Sequence, residues 1–422
     1  MERKTSKLTF ETYTFYKDAG TEWLGEIPEN WKATRMKFLF HDVSIKNKPD
    51  EELLSVTQNK GVVPRSWVEN RMVMPSGNLE SFKFIEKGDF AISLRSFEGG
   101  LEYCHHNGII SPAYTVLKKK NGLFDGYYKY LFKSSSFISE IQTSVVGIRE
   151  GKNISYPELS TSLLPIPSKE EQIAIANFLD EKTIKIDQAI AQKERMIELL
   201  KERKQIIIQN AVTKGLDSNV KLKDSGIAWI GEIPEHWEIF KFKQLFHEKK
   251  KKLNGQLPAG AISYGFVRYK PENSILESTK ETYQEVLSGE FLINPLNLNY
   301  DLVSLRIALS EIDVVVSSGY IVLNQSRSFD KNYMKWLLHR FDISQMKLLG
   351  SGVRQTINFG HLSNELLILP PKKEQELIQS WIGEKLAKID SSIALQQKQI
   401  KKLKEYKATL IDSAVTGKIK VC

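Results

Sequence analysis

KDAGTEWLGEIPENW, Lys17 to Trp31, returns as KDSGIAWIGEIPEHW, Lys223 to Trp237, with ten of fifteen residues identical. Similarity this dense marks an internal duplication, and a duplication sets the architecture before any local structure is considered. The match continues without a gap as WKATRMKFLFH, Trp31 to His41, against WEIFKFKQLFH, Trp237 to His247. It fades and then recovers, with GDFAIS at Gly88 to Ser93 against GEFLIN at Gly289 to Asn294, and SPAYTVL at Ser111 to Leu117 against SSGYIVL at Ser317 to Leu323. Gly147-Ile148-Arg149 then pairs with Gly352-Val353-Arg354, and PSKEEQ at Pro167 to Gln172 with PPKKEQ at Pro370 to Gln375. Between these blocks Leu53 to Asn78 and Gln256 to Gln284 occupy equivalent places and share almost nothing. A common frame carrying two unlike surfaces is the simplest account; loops that drift without purpose are the other.

Each half ends in a long helix. From Lys169 to Ala211 there is no Gly or Pro, and apolar residues fall at Leu179, Ile186, Ile190, Ile197, Leu200, Ile207 and Ala211. Gaps of seven, four and three keep one narrow stripe on one side, the seam of a coiled coil. Adding 203 gives Ile382, Ile389, Ile393, Ile400, Leu403, Leu410 and Ala414, all apolar. Two matching stripes need the same kind of partner, and each helix can serve the other. The order domain, helix, domain, helix sends the second helix back toward the first domain, so the expected pair is antiparallel. At 1.5 Å per residue it forms a rod of roughly 60 Å, about one and a half to two turns of duplex. Homodimerisation, or docking of a partner helix on each stripe, is the competing reading.

The expected fold is therefore mixed α/β (α+β): two globular domains separated by a long antiparallel two-helix coiled coil, with an internal pseudo-twofold repeat. The boundaries fall at residues 1–167, 168–215, 216–370 and 371–422. GDFAISL and AYTVL have strand composition, whereas Asp125 to Lys133 and Lys331 to His339 align as helices.

Sixty Lys plus Arg against fifty-one Asp plus Glu leave a charge of +9, which suits a polyanion. The opening MERKTSKLTF lacks the apolar run of a signal peptide, and no stretch reaches the eighteen or so apolar residues of a membrane span, so the expected location is cytoplasmic. Cys104 and Cys422 suit a reducing compartment. Cys104, His105 and His106 form no metal site on an extended chain, where neighbours point to opposite faces. There is no phosphate-binding G-x-x-x-x-G-K-[ST] loop, and Asn294-Pro295-Leu296-Asn297 lacks the second Pro and the aromatic of an adenine methyltransferase motif. Pro49-Asp50-Glu51-Glu52 reads as a solvated loop and not a magnesium site. No catalytic residue, metal or cofactor is expected in this chain.

These residues resemble the specificity (S) subunits of type I restriction-modification systems over nearly the whole length. The shared motifs are the repeated W-[LI]-G-E-I-P-E-x-W, the G-x-R element, the P-x-x-x-E-Q helix start, and the helix endings AVTKG at Ala211 to Gly215 and AVTGK at Ala414 to Lys418. The resemblance implies that each target-recognition domain binds one half of a split, asymmetric DNA sequence. The helices would set the spacing and dock two methyltransferase (M) subunits, with motor-nuclease (R) subunits joining them. S-adenosylmethionine, ATP and Mg²⁺ would then belong to those partners. Rival readings are a specificity subunit of a type II-like system, an orphan regulator of a type I complex, and a coiled-coil adaptor with protein-binding heads.

Affinity for duplex comes mainly from neutralised phosphates, and sequence is read by Arg, Lys, Asn and Gln at base edges. In the first half the candidates are Lys46, Lys48, Gln58, Asn59, Lys60, Arg65, Arg71 and Arg95. In the second they are Arg268, Tyr269, Lys270, Asn297, Asn299 and Arg306, with the run Lys249, Lys250, Lys251 and Lys252 following phosphates. Arg149 and Arg354 recur at equivalent places, as either a fixed backbone contact or a structural ion pair would; Lys152 and Asn153, or Gln355, follow them in a polar loop. Trp23, Trp31, Trp229 and Trp237 flank a rigid Ile-Pro pair and read as core.

Overall fold

The aromatic residues of the repeated entry segment pack inward and organise each half. The computed structural model describes residues 10–68, 79–93, 95–143, 145–146, 153–271, 274–296, 305–346, 349 and 357–421. The chain divides into two compact units, Met1–Glu194 with Gln397–Cys422, and Arg195–Gln396. The division falls inside the two long helices, Lys169–Lys214 and Lys372–Val415.

In the first unit, Tyr16–Asp18 pairs antiparallel with Glu26–Pro28 across the repeated turn, and Lys32–Arg35 pairs with Leu163–Ile166. A four-stranded antiparallel sheet follows, in the order Phe40–Val43, Thr115–Lys119, Phe90–Ile92 and Glu102–Tyr103. The second unit has the same plan: Leu222–Asp224 pairs with Glu232–Pro234 and Glu238–Lys241 with Leu366–Leu369. Its sheet runs Phe246–Glu248, Ile321–Gln325, Phe291–Ile293 and Ile307–Leu309. The aligned blocks GDFAIS and GEFLIN, like AYTVL and GYIVL, are thus neighbouring strands in both sheets.

The conserved spacing of the motifs has a physical cause in each unit. Trp31 is wholly buried, and its indole Nε1 donates to Glu171 Oε1 at 3.1 Å. Trp237, also buried, donates to Glu374 Oε2 at 2.9 Å. Both carboxylates lie in the first turn of a long helix, where the exposed N–H ends favour negative charge. The next residue ties the helix start to the domain: Gln172 donates to Pro167 O at 3.0 Å and accepts from Phe124 N at 2.8 Å. Gln375 makes the corresponding bonds with Pro370 O and Asp330 N, both at 2.7 Å.

The helix endings are held in the same manner. The last carbonyls of a helix lack partners inside it; Tyr127 Oη donates to Val415 O at 2.6 Å, and Tyr333 Oη to Val212 O at 3.1 Å. Beyond them Gly417 takes φ +74°, the left-handed conformation that ends helices, and a Cβ there would meet Pro28 Cδ at 2.4 Å. Each unit is therefore sealed by the start of one long helix and the end of the other.

The helix stripes face inward as their spacing predicts. In the first unit Leu179, Ile186 and Ile190 share a core with Ile400, Leu403, Leu410 and Ala414. Asp187 pairs with Lys407 at 2.6 Å and Lys193 bonds Gln399, so the two stretches run antiparallel there. In the second unit Lys204 pairs with Asp390 at 2.6 Å, while Ile207, Ala211 and Ile382 enter the core. Ile197 and Ile389 are buried, and Leu200 and Ile393 half-buried.

Replacing Tyr127 by Phe strands the buried Val415 carbonyl and should cost ~1–3 kcal/mol. Chemical denaturation followed at the first unit should register that loss. Tyr127→Phe with unchanged stability would show that the hydroxyl does not seal the helix end.

Candidate nucleic-acid interface

The two segments with no sequence match fold into corresponding hairpins. In the first unit Leu54–Thr57 pairs with Gly61–Pro64, leaving Gln58, Asn59 and Lys60 as the tip. In the second, Gly260–Ser263 pairs with Phe266–Tyr269, leaving Tyr264 and Gly265. Both tip residues have positive φ, +49° and +76°, the conformation of a tight two-residue hairpin turn. Gly fits it readily, whereas Tyr264 is held there with 71% of its surface exposed.

Each hairpin rests on a small core of its own, separate from the main one. Leu54 and Val62 join Ile85, Ala91, Cys104, Ile110 and Val116 in the first unit. Ile262 and Val267 pack on Val286, Leu292, Val314, Val316 and Val322 in the second. Cys104 belongs to this packing: it is fully buried, donates to His106 O, and burial pushes its thiol up to about 12.

Around the first hairpin the structure gathers residues far apart in sequence. Gln58, Asn59, Lys60, Trp67, Arg95 and Tyr114 line one open cleft of about 720 Å³. Gln58, Asn59, Lys60 and Arg95 are exposed, and so is Trp67, at 57%. Four of the sequence candidates thus meet on one surface, with two aromatic rings that sequence reasoning did not single out. Arg65 lies at the base of the hairpin and is half-buried. Lys46 is exposed apart from this cleft, and Lys48 stacks 3.6 Å from the Phe84 ring centre, near Glu51.

The second hairpin presents a row of rings and cations. Tyr264, Phe266, Arg268 and Tyr269 are exposed and Lys270 is half-buried, with the Arg268 guanidinium 5.3 Å from the Phe266 ring centre. Arg268, Tyr269 and Lys270 were candidates from the sequence; Tyr264 and Phe266 were not. The available signal was the Tyr-Gly pair between two apolar-rich runs, which marks a hairpin tip.

Two expected contacts are corrected. Arg306 is only 8% exposed, and its backbone N and Nε both bond the Asp342 carboxylate, with Nε to Oδ1 at 3.1 Å. It serves as a buried structural ion pair and presents no cation to a ligand. Lys249 does not follow phosphates, because its ammonium lies 2.9 Å from Glu290 and 3.5 Å from Glu285 with little exposure. Lys250 and Lys251 are exposed, and Lys252 pairs with Glu285. Arg71, Arg149, Lys152, Asn297, Asn299, Arg354 and Gln355 lie outside the described residues, as does the Asn153 side chain.

Beneath each tip sits one titratable side chain from the aligned helical segment. Lys133 reaches Gln58 O, Gly99 O and Glu102. Burial pushes the Glu102 carboxyl up to about 7, against the pull of Lys133. His339 is buried beside Gly265, and burial, helped by Lys335, pushes its imidazole down to about 4.

The family model for the type I restriction modification DNA specificity domain matches residues 234–405. Over 96% of this chain, a type I restriction enzyme MjaVIII specificity subunit of Methanocaldococcus jannaschii is 25% identical, with 97% of that protein covered. A putative type I restriction enzyme MjaX specificity subunit of the same organism is 24% identical over 96% of this chain and 98% of its own length. By this family model and both relatives, the chain is similar to the specificity subunits of type I restriction-modification systems.

Solved structures share the fold of this chain. The crystal structure of the HsdS subunit from Thermoanaerobacter tengcongensis superposes with a TM-score of 0.53 at 14% identity, covering 93% of this chain and 98% of that one. A chain from a study of complex assembly and conformational transition in the type I R-M system gives a TM-score of 0.64 at 12% identity, covering 92% and 98%. Among the described residues no helix is long and apolar enough to cross a membrane.

The His339 environment makes a pH prediction. Its folded-state pKa lies below the ordinary value, so the unfolded chain binds the proton more readily. Stability is then full above about pH 6.5 and is lost as pH falls toward about 4, by on the order of 3 kcal/mol in the second unit. Denaturation of His339→Gln across that range should show a flatter pH dependence than the parent. An equally steep loss in both would place the acid sensitivity elsewhere.

Proposed function

We propose that each recognition domain of this specificity subunit binds one half of a bipartite, asymmetric DNA target through its hairpin. The observation that carries this reading is the placement of two unlike hairpins at the same point of two homologous frames. A two-stranded β-ribbon is one of the elements that the major groove admits. Its tip in the first domain offers amide and cationic side chains, which pair with adenine and guanine edges; the second hairpin offers Arg268 and Lys270 beside exposed rings. These cations supply the phosphate attraction that any duplex provides.

The long helices set the spacing between the half-sites and dock the methyltransferase subunits. Apolar residues on their outer faces support docking: Ile184 in the first unit, and Met196, Leu199, Ile206 and Leu395 in the second, all more than 40% exposed. Adenine methylation with S-adenosylmethionine, ATP hydrolysis and Mg²⁺-dependent cleavage then belong to the methyltransferase and motor-nuclease subunits, and this chain supplies the address in the cytoplasm.

The test is a comparison of methylated sites in cells holding the methyltransferase subunits with and without this chain. One split adenine-methylated motif should appear only when the chain is present; no motif would overturn the proposal. In binding assays Arg268→Ala should flatten the salt dependence, with a slope change of about 0.9 if the guanidinium meets one phosphate.

A further inference from the structure

We infer that Lys133 and His339, which occupy the same place in the two repeats, are positioning residues that fix the tips of the two reading hairpins against the frame. The inference rests on the reading assigned to the hairpins above.

Lys133 follows the short helix Asp125–Leu131, and His339 lies six residues beyond Tyr333, as Lys133 lies six beyond Tyr127. The two tyrosines close the helix ends in their units, so the equivalence is structural as well as sequential. An ammonium has three N–H donors, and all three of those on Lys133 have an acceptor: Gln58 O at 3.2 Å, Gly99 O at 2.8 Å and Glu102 Oε1 at 2.6 Å. Gln58 O belongs to the hairpin tip. Gly99 ends the short helix Ser96–Gly99, whose N-cap is Arg95, and it lies so close to Gln58 that a Cβ there would be 3.1 Å from Nε2. One charge thus joins the two walls of the cleft, the tip and the turn that carries Arg95. Glu102, 1% exposed, fixes that charge from below.

The second unit reaches the same end with different chemistry. There the His339 ring supports the tip directly: its Nε2 lies 3.2 Å from where a Cβ on Gly265 would stand, and Trp336 packs edge-on against it at 5.6 Å. The residue it backs, Gly265, carries the exposed Tyr264 in its left-handed conformation. His339 is a buried polar side chain, costly to keep for packing alone, and half-buried Lys133 commits all three of its donors to protein acceptors. Holding a tip backbone in place gives it a role. A base-reading side chain displaced by a fraction of its hydrogen-bond length loses its directional contact, so support from below is needed for discrimination.

The experiment uses the full chain with its methyltransferase subunits and reads base tolerance at every position of the methylated motif. Lys133→Met keeps the aliphatic stem and removes the donors; Lys133→Arg restores charge and donors; Asn59→Ala alters the exposed tip itself. Lys133→Met should relax, at least tenfold, only the half of the motif that Asn59→Ala also changes, leaving the other half as in the parent. Lys133→Arg should recover part of it. If Lys133→Met proves unfolded, the same comparison is made in Lys133→Met with Glu102→Gln, which leaves no unpaired buried charge. A folded Lys133 variant with an unaltered motif beside an altered one for Asn59→Ala would overturn the positioning role alone, as would equal weakening of both halves. Silence of both variants would overturn the hairpin reading, and the inference with it.

Discussion

An indole N–H bonded to a carboxylate in the first turn of a helix, made once by Trp31 with Glu171 and once by Trp237 with Glu374, is the contact on which the rest of this molecule depends. Burial alone would raise the Glu171 carboxyl, yet hydrogen bonds from Trp31, Ser168 and Asn30 hold it below its ordinary value. The helix therefore begins with a committed negative charge, the sign that its N-terminus favours. At the other end a buried tyrosine hydroxyl caps a helix carbonyl that would otherwise be orphaned. Because the start and the end that seal one unit come from different helices, neither helix can be altered without disturbing a domain.

That constraint separates what must stay the same from what is free to differ. The entry segment, the sheet, the helix starts and the helix ends all make contacts that recur with the same partners in both units. The hairpins meet the frame through small satellite cores, a backbone bridge each, and the polar supports beneath their tips. Their tips can change chemistry, from amides and a lysine to a tyrosine and a glycine, without cost to the seals below. One repeated frame that carries two unlike surfaces, as the proposed reading of two half-sites requires, needs this division of labour.

Much of this was legible in the sequence because it is written in local periodicity and repetition. The seven-residue stripes needed no partner to be recognised, and every seam position is buried or half-buried. The core role of Trp31 and Trp237 followed from rings beside a rigid turn. What escaped depends on contacts between distant residues. Arg306 looked like a free cation because Asp342 lies 36 positions away, and Lys249 because Glu285 and Glu290 pair with it across the sheet. Exposed Trp67 and Phe266 were missed for the opposite reason: a large ring defaults to the core, and only the fold shows that these two remain outside it. Lys133 and His339 were visible as aligned positions, but their place beneath a hairpin tip is purely tertiary.

The central claim is that two equivalent frames carry interchangeable addresses. It is tested most directly by a chimera in which Lys17 to Pro167 is replaced by Lys223 to Pro370, with folding and methyltransferase binding verified and methylated sites then mapped. The account predicts a motif that carries the half-site of the second domain at both ends. A folded, partner-bound chimera that keeps the parent motif, or methylates no defined sequence, would contradict it.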